Sequence, residues 1–436
     1  MFLTLDEFLS YFPSRNLTFQ QFQKQAIVTY SPPQYMYDIV KGNTSLTKRK
    51  DDIRIRQKEQ ILNYFYELLV RHKSWYLTQF YCSYFQFRSP RSLLWTTKDD
   101  PHQIETIIQH PTLSHPYGHS SLRIQRNDSS KRLLRNLFYR ELLDETMISN
   151  TVKSNMSFWN SLLQLFNNYR IEDRLFAPSS ISLLLRPKFS TSENETINYN
   201  HLFYLFQAYQ PKASLLNPYS ITYILHEIVP RYLTSSSSLR LFSPVLSWGS
   251  YLVAFMESHH YSYYLGNDVI PSVCQKTKWL GQNYPKPRNS PKKYFDITQY
   301  PAEHLLRYRE FRHFYTSFFD VVICCPPYYK MEEYKGGEQS TETYKTYEEW
   351  LTGFWKETVR MIDIVLRKGG VFLLLCNDYQ ALDGTKYPII HDLNQCIIEQ
   401  WNTKPKWVYD LINRTSPLRI TKKERLERMF IYVKPY

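Results

Sequence analysis

The hexapeptide Cys324-Cys325-Pro326-Pro327-Tyr328-Tyr329 has the residue types and the setting of a reactive turn. It follows the run FFDVVI at 318–323, which is short, β-branched and aromatic and so reads as a buried strand. Two consecutive prolines remove two ladder donors and fix φ, so the strand must stop and a stiff turn must follow. Ligands of open α/β sheets bind beyond the carboxyl ends of strands. Tyr328 would offer a flat ring at that place. A Pro-Pro turn that only ends a strand is the plain alternative, and the hexapeptide alone leaves both open.

Other candidates cluster at similar junctions. YSYYLGND at 261–268 reads as a strand ending in Asp268, whose carboxylate could accept two hydroxyl hydrogens or cap the next helix. LRLF at 239–242 reads as a short strand, followed by Ser243-Pro244-Val245-Leu246-Ser247-Trp248-Gly249 as a turn feeding a helix. Asn217-Pro218 reads as an N-cap followed by proline at the first helical position. The six cysteines, at 82, 274, 324, 325, 376 and 396, form no Cys-x-x-Cys pair and have no histidine at metal spacing. Free thiols in a reducing, intracellular compartment are therefore expected, and no metal site. His110, His115 and His119 lie close together, but no cysteine or carboxylate completes a ligand set. Nothing beside Cys325 marks it as an activated nucleophile.

These junctions need a scaffold. Strands alternate with helical patterns over 199–436, which argues for a parallel, doubly wound α/β sheet. TYEEWLTGFWKETVRMIDIVLRKGG is expected as one amphipathic helix stopped by Gly369-Gly370. The last two strands, KWVYDLI and RMFIYVK, lack a clear helical crossover and suggest an antiparallel edge. A helix is expected over about 389–401. Residues 1–190 are expected to form a mostly helical N-terminal domain, with helices over about 51–85 and 131–169, an irregular stretch at 88–130 and a polar linker at 188–198. Its role would be to bind nucleic acid or a protein partner.

Composition sets the outer limits. The chain has 436 residues, 43% of them hydrophobic, enough for two or three domains with real cores. No apolar run reaches the ~18 residues of a membrane-spanning helix. The N-terminus carries Asp6 and Glu7 and no leading basic region, unlike a signal peptide. A net charge of +14 favours a polyanionic partner, nucleic acid first and a membrane surface second. The basic cluster Lys48, Arg49, Lys50, Arg54, Arg56 and Lys58 and the loop 281–293 are candidate phosphate contacts or solvated faces. The 37 tyrosines are unusually many and suit both core packing and base stacking.

Taken in order, NPYS, FSPVLSWGS, the strand ending in Asp268, FDVVICCPPYY, the pair Gln339-Ser340, KTYEEWLTGFW and LRKGGVFLLL resemble the S-adenosylmethionine-dependent methyltransferases of exocyclic amino groups in nucleic acids. The chain looks most like the adenine-type DNA methylases of phages and large DNA viruses. The resemblance covers about 210–436 and is most specific over 319–370. It implies a Rossmann-like methyltransferase sheet, S-adenosylmethionine as cofactor, DNA ahead of RNA as polymer, and adenine ahead of cytosine as target. It implies cofactor contacts at Asn217, Pro218, Ser243, Ser247, Trp248, Gly249 and Asp268, the last binding the ribose hydroxyls. It implies a catalytic turn at Cys325, Pro326, Pro327 and Tyr328, and neither metal nor membrane.

The implied chemistry explains the turn. The target nitrogen is conjugated to its ring and its lone pair is a poor nucleophile. Two acceptors on its hydrogens, a polar side chain and the carbonyl of the first proline, favour a more tetrahedral nitrogen, while the aromatic residue stacks on a base swung out of its helix. The chain departs from the family pattern at three places. Ser243 replaces a carboxylate, Ser247 replaces a glycine, and Cys325 replaces Asp, Asn or Ser with a weak acceptor. A methyltransferase fold that has lost catalysis and serves as a nucleic-acid-binding or scaffolding subunit beside an active partner is thus the competing expectation. An RNA base or a protein amide as substrate is a third.

Overall fold

The computed structural model describes residues 2–29, 62–87, 104–109, 118–124, 129–148, 157–172, 213–234, 237–285, 292–380, 385–413 and 427–436. The basic cluster at 48–58, the linker at 188–198, His110, His115 and the centre of the loop 281–293 lie outside them. The chain divides into two compact units, Met1–Gln86 with Leu142–Ala213, and Phe87–Glu141 with Ser214–Tyr436. The second therefore takes in 87–141, which the sequence reading gave to the N-terminal domain.

The second unit is built on a nine-stranded sheet. In chain order its strands are β1 (Ile104–Gln109), β2 (Gly118–Ile124), β3 (Leu239–Ser243), β4 (Tyr261–Asp268), β5 (Tyr294–Gln299), β6 (Phe319–Cys324), β7 (Leu366–Cys376), β8 (Trp407–Asn413) and β9 (Glu427–Val433). Their spatial order is β1-β2-β8-β9-β7-β6-β3-β4-β5. From β5 to β7 all neighbours run parallel. That stretch has the 3-2-1-4-5 order of a doubly wound Rossmann-like sheet, so the expected fold class is found. Its helices include α1 (Ser129–Leu137), α2 (Pro218–Tyr223), α3 (Ser250–Glu257), α4 (Pro271–Asn283), α5 (Arg309–Tyr315), α6 (Glu357–Val365) and α7 (Ile389–Trp401).

Side-chain alternation accounts for the core. Phe242, Val322, Phe372, Leu374, Phe430 and Tyr432 share one buried cluster with Trp355, Ile362 and Ile397. The intervening Leu241, Val321, Ile323, Leu373, Leu375 and Ile431 are buried as well. Central strands covered on both faces read as continuous apolar runs, as FFDVVI does. Each fully buried side chain of this size contributes about 1.5–3 kcal/mol of transfer free energy.

Three expectations are corrected. The antiparallel strand is not at an edge: β9 inserts between β7 and β8 and pairs antiparallel with both. The stretch 88–130 is not wholly irregular, because the β-branched IETIIQ forms β1, which pairs antiparallel with β2, and β2 adds parallel to β8. The amphipathic helix ends at Val365, before the glycines. Leu366 already pairs with Phe319, and the register then slips before Val371. Gly369, at φ +69°, donates its amide to the Lys434 carbonyl, and the Lys434 amide donates to the Gly370 carbonyl. The glycines thus make a strand bulge, where a positive φ costs glycine little.

The first unit packs helices Leu5–Ser10, Phe19–Gln25, Lys73–Tyr84 and Phe158–Asn167 around aromatic rings. Phe8 lies 5.9 Å from Phe80 and 5.8 Å from Trp159, and Phe12 lies 5.5 Å from Phe166, centroid to centroid. Burial lowers the Lys73 ammonium pKa to about 8, with Arg15 contributing, and its Nζ donates to the Pro13 carbonyl at 2.8 Å. The unit is not purely helical, since Ile27–Thr29 and Arg170–Glu172 pair as a short parallel ladder.

One buried carboxylate ties the three central strands together at the end opposite the Pro326-Pro327 turn. Asp320 Oδ2 accepts from the Arg240 amide at 2.8 Å and from Arg240 Nε at 3.2 Å, while Oδ1 accepts from Arg367 Nε at 2.5 Å. Removing it strands two arginines beside β6. Asp320→Ala should cost roughly 2–4 kcal/mol in denaturant unfolding; a loss below about 1 kcal/mol would show that the clamp is only superficial.

Candidate functional site

The strand order reverses between β3 and β6, and the site lies at the carboxyl ends of β3, β4 and β6. Ser243 pairs with Gly266, and Phe242 pairs with both Leu265 and Val322, so the three strands end side by side. A cleft of about 1070 Å³, open to solvent, lies beyond them. Ser247, Trp248, Asp268, Cys325, Pro326, Pro327 and Tyr328 all line it. The structure thus gathers seven of the eleven candidate site residues.

The other four are placed differently. Asn217 is a buried N-cap whose Oδ1 accepts from the Tyr219 amide and from the Ser130 hydroxyl, each at 3.1 Å. Pro218 opens α2 as expected, and neither residue lines the cleft, although Ser214 and Leu216, just before them in the chain, do. Ser243 is fully buried, with its hydroxyl 2.6 Å from that of Tyr264. Gly249 is the N-cap of α3, and a Cβ there would meet Phe138 and Leu134 of the α1 region at 3.4–3.5 Å.

The loop after β3 has an unusual backbone. Ser247, Trp248 and Gly249 have φ of 47°, 55° and 75° in succession. The left-handed region favours glycine, yet two of these residues carry side chains, at about 1–3 kcal/mol of strain each. The turn therefore keeps a glycine-like course at Ser247, where the resemblance expects glycine. Trp248 packs edge-on against Tyr334, centroids 5.7 Å apart.

Asp268 supports this loop. Its Oδ2 accepts from the Leu246 amide at 3.2 Å, and Oδ1 accepts from the Val269 and Ile270 amides at 2.8 and 3.1 Å. Burial raises its pKa, and the three amides oppose the rise. Oδ1 is fully used; Oδ2 keeps one lone pair for a ligand hydroxyl.

At the Pro326-Pro327 turn, Tyr328 stacks on Tyr379 with centroids 5.7 Å apart and rings 12° from parallel, and Tyr379 stacks on Tyr387 at 5.4 Å. Tyr328 is the member of this ladder that lines the cleft. Cys325 donates its thiol to Glu427 Oε1 at 3.8 Å. Burial, then Glu427, Cys324, Cys376 and Glu332, holds that thiol well above its usual pKa. It is a neutral thiol, not a thiolate nucleophile.

The sequence reading missed much of the cleft wall. Glu303, Glu332, Glu338 and Glu427 join Asp268 around it, and among its described lining residues there is no lysine, arginine or histidine. The Tyr334 hydroxyl donates to Glu332. Burial raises the pKa of Glu303 and Glu332, and carries that of Glu427 to about 7. Glu427 stands 102 residues from Cys325, so no local signal links them. Gln339 and Ser340, which the resemblance singled out, do line the cleft; Ser340 Oγ accepts from Trp350 Nε1 at 3.2 Å. Among the described residues no group of histidine, cysteine or carboxylate side chains is arranged to hold a metal ion.

The wall formed by 330–345 is seated by Gly337. Its φ is +71°, and a Cβ there would fall 1.9 Å from the Val269 carbonyl oxygen. Gly337→Ala should push this wall off the Asp268-Val269 corner and weaken ligand binding about tenfold or more, equivalent to about 1–3 kcal/mol; unchanged affinity by calorimetry would disprove it. Glu427 yields a second expectation. Its folded pKa of about 7 lies above the unfolded value of about 4.3. The fold therefore takes up a proton in that window, and stability falls as pH rises from about 4 to about 7. Glu427→Gln should melt at increasingly higher temperature than the parent as pH rises from about 5 to about 8, and a pH-independent difference would refute the shift.

No family model and no curated protein matches the chain. Among solved structures it is similar to TrmN from Thermus thermophilus (12% identity, 51% of this chain and 49% of that one, TM-score 0.32). It is also similar to an S-adenosylmethionine-dependent methyltransferase from Methanosarcina mazei (11%, 48% and 98%, TM-score 0.33) and an arsenic(III) S-adenosylmethionine methyltransferase from Chlamydomonas reinhardtii (12%, 51% and 75%, TM-score 0.29). The chain spans about half the length of the Thermus protein. The fold assignment rests on the strand order itself.

Proposed function

We propose that the chain is an S-adenosylmethionine-dependent methyltransferase acting on the exocyclic amino group of a nucleobase, adenine ahead of cytosine and DNA ahead of RNA. The observation that carries this reading is the convergence of Asp268, the Ser247–Gly249 turn and the Cys325-Pro326-Pro327-Tyr328 turn on one cleft at the point of strand reversal.

The cleft fits such a cofactor in two respects. Asp268 Oδ2 retains an acceptor position for a ribose hydroxyl. Five carboxylates and no basic side chain among the described lining residues favour a ligand carrying positive charge, as a sulfonium and an ammonium do. Hydroxyls of Ser214 and Ser340 are lining groups that can donate to the ligand's own carboxylate. When bound, the cofactor supplies an electrophilic methyl group. The chain's part is to hold the base and orient its nitrogen. Tyr328 would extend its stack with Tyr379 onto the base, and the Pro326 carbonyl would accept one amino hydrogen.

Nucleic acid as the polymer is supported by the net charge of +14, since the acidic cleft leaves that positive charge to the rest of the chain. The basic stretch at 48–58 in the N-terminal part is the first candidate for phosphate contact. An intracellular, reducing setting agrees with the six free cysteines. The buried Ser243 favours the second reading, a fold that binds nucleic acid or a partner subunit without catalysis.

Calorimetry with S-adenosylmethionine, alone and with duplex DNA, separates the two. Binding followed by tritiated methyl transfer to DNA supports the enzyme, and no binding in either setting sinks it. Tyr328→Ala should lower transfer by about tenfold or more while changing cofactor affinity less than threefold, given about 1–3 kcal/mol per base stack; equal losses in both would assign Tyr328 to the cofactor instead.

A further inference from the structure

We propose that Glu427 is the hydrogen-bond and proton acceptor for the target amino group, in the role that Cys325 cannot fill. The proposal rests on the methyltransferase reading above. Cys325 holds the position at which a polar acceptor is expected, but its thiol is a weak acceptor and is engaged as a donor to Glu427 Oε1 at 3.8 Å. Behind the thiol stands a carboxylate, and both line the cleft with Pro326 and Tyr328.

The topology explains how a residue so far along the chain arrives there. β6 and β7 are parallel and end at the cleft. A parallel neighbour would bring its last residue to that edge. β9 runs antiparallel, with Arg428 opposite Cys376 and Glu427 opposite Leu411, so its first residue stands there instead. Around the carboxylate are Lys131 of α1, which favours its ionised form, Glu332, which opposes it, and the neutral groups Cys325, Cys376, Tyr251 and Tyr328. A folded pKa of about 7 leaves Glu427 able both to accept and to release a proton near neutral pH.

The step balances as follows. The nitrogen lone pair forms the N–C bond to the methyl group of the sulfonium donor. The C–S bond breaks with its electron pair going to sulfur, giving a neutral thioether. The positively charged amino nitrogen passes one proton to the Glu427 carboxylate, which later releases it to solvent through the open cleft. The Pro326 carbonyl holds the other amino hydrogen.

The test uses the whole 436-residue chain, S-adenosylmethionine and duplex DNA. In the parent, kcat should rise with pH through an inflection near 7. Glu427→Gln should lower kcat at saturating S-adenosylmethionine by about 10²–10⁴ and lose the inflection. Glu427→Asp, with a shorter carboxylate, should keep the inflection at reduced rate. Cys325→Asn added to Glu427→Gln should recover part of kcat. A readout independent of turnover is the rate of Cys325 alkylation by iodoacetamide, followed by peptide mass spectrometry. Removing the neighbouring negative charge should speed it at about pH 8 in Glu427→Gln. A folded Glu427→Gln protein with parental kcat, or with the inflection retained, overturns the assignment and leaves the methyltransferase reading standing. A parent that transfers no methyl group to DNA or RNA overturns both, whatever the alkylation result.

Discussion

The constraint on which the site depends is the reversal of strand order between β3 and β6. Helices that follow parallel strands must pack back on the sheet, and the crossovers on the two sides of a reversal leave in opposite directions. No helix can then cover the ends of β3 and β6, and a cleft remains. The Asp320 clamp holds β3, β6 and β7 in register at one end, so their other ends present Ser243, Cys324 and Cys376 at a fixed depth. The turn after β6 is stiff because Pro326 and Pro327, with their fixed φ, begin where a fully buried strand stops.

Electrostatics divides the protein's surface labour. The chain as a whole is strongly basic, yet the cleft wall is acidic among its described residues. In the proposed reading, such a wall suits a cofactor with a sulfonium and an ammonium, and the basic remainder suits a phosphate backbone. The same wall is costly to keep ionised: burial raises the pKa of Asp268, Glu303, Glu332 and Glu427 together. Their partners, three amides at Asp268, Tyr334 at Glu332, and Cys325 and Lys131 at Glu427, offset part of that cost.

The departures from the family pattern take on different weights in the structure. Ser247 retains a left-handed backbone despite its side chain, so the loop's course survives its substitution. Ser243 turns inward to Tyr264, and the carboxylate it replaces has no counterpart on the cleft at that residue. Cys325 is backed by Glu427. A motif score would count three losses, but the physical losses are unequal.

Local pattern determined the parts that depend on neighbours in sequence. Local composition and length identified β3, β4, β6, β8 and β9, and Asn217-Pro218 announced the start of α2. The Pro-Pro pair marked the turn, because fixed φ and missing amides act within a few residues of where they occur. Local pattern misjudged Gly369-Gly370 as a helix stop, because the bonds to Lys434 that make it a bulge come from the far end of the chain. It placed the antiparallel strand at an edge, because strand direction is visible from connection length and strand position is not. Only tertiary structure decided that 104–109 and 118–124 join the main sheet and that Glu427 meets Cys325. Long-range pairing brings those groups together, and nothing in the residues beside Glu427 records which strand will lie next to it.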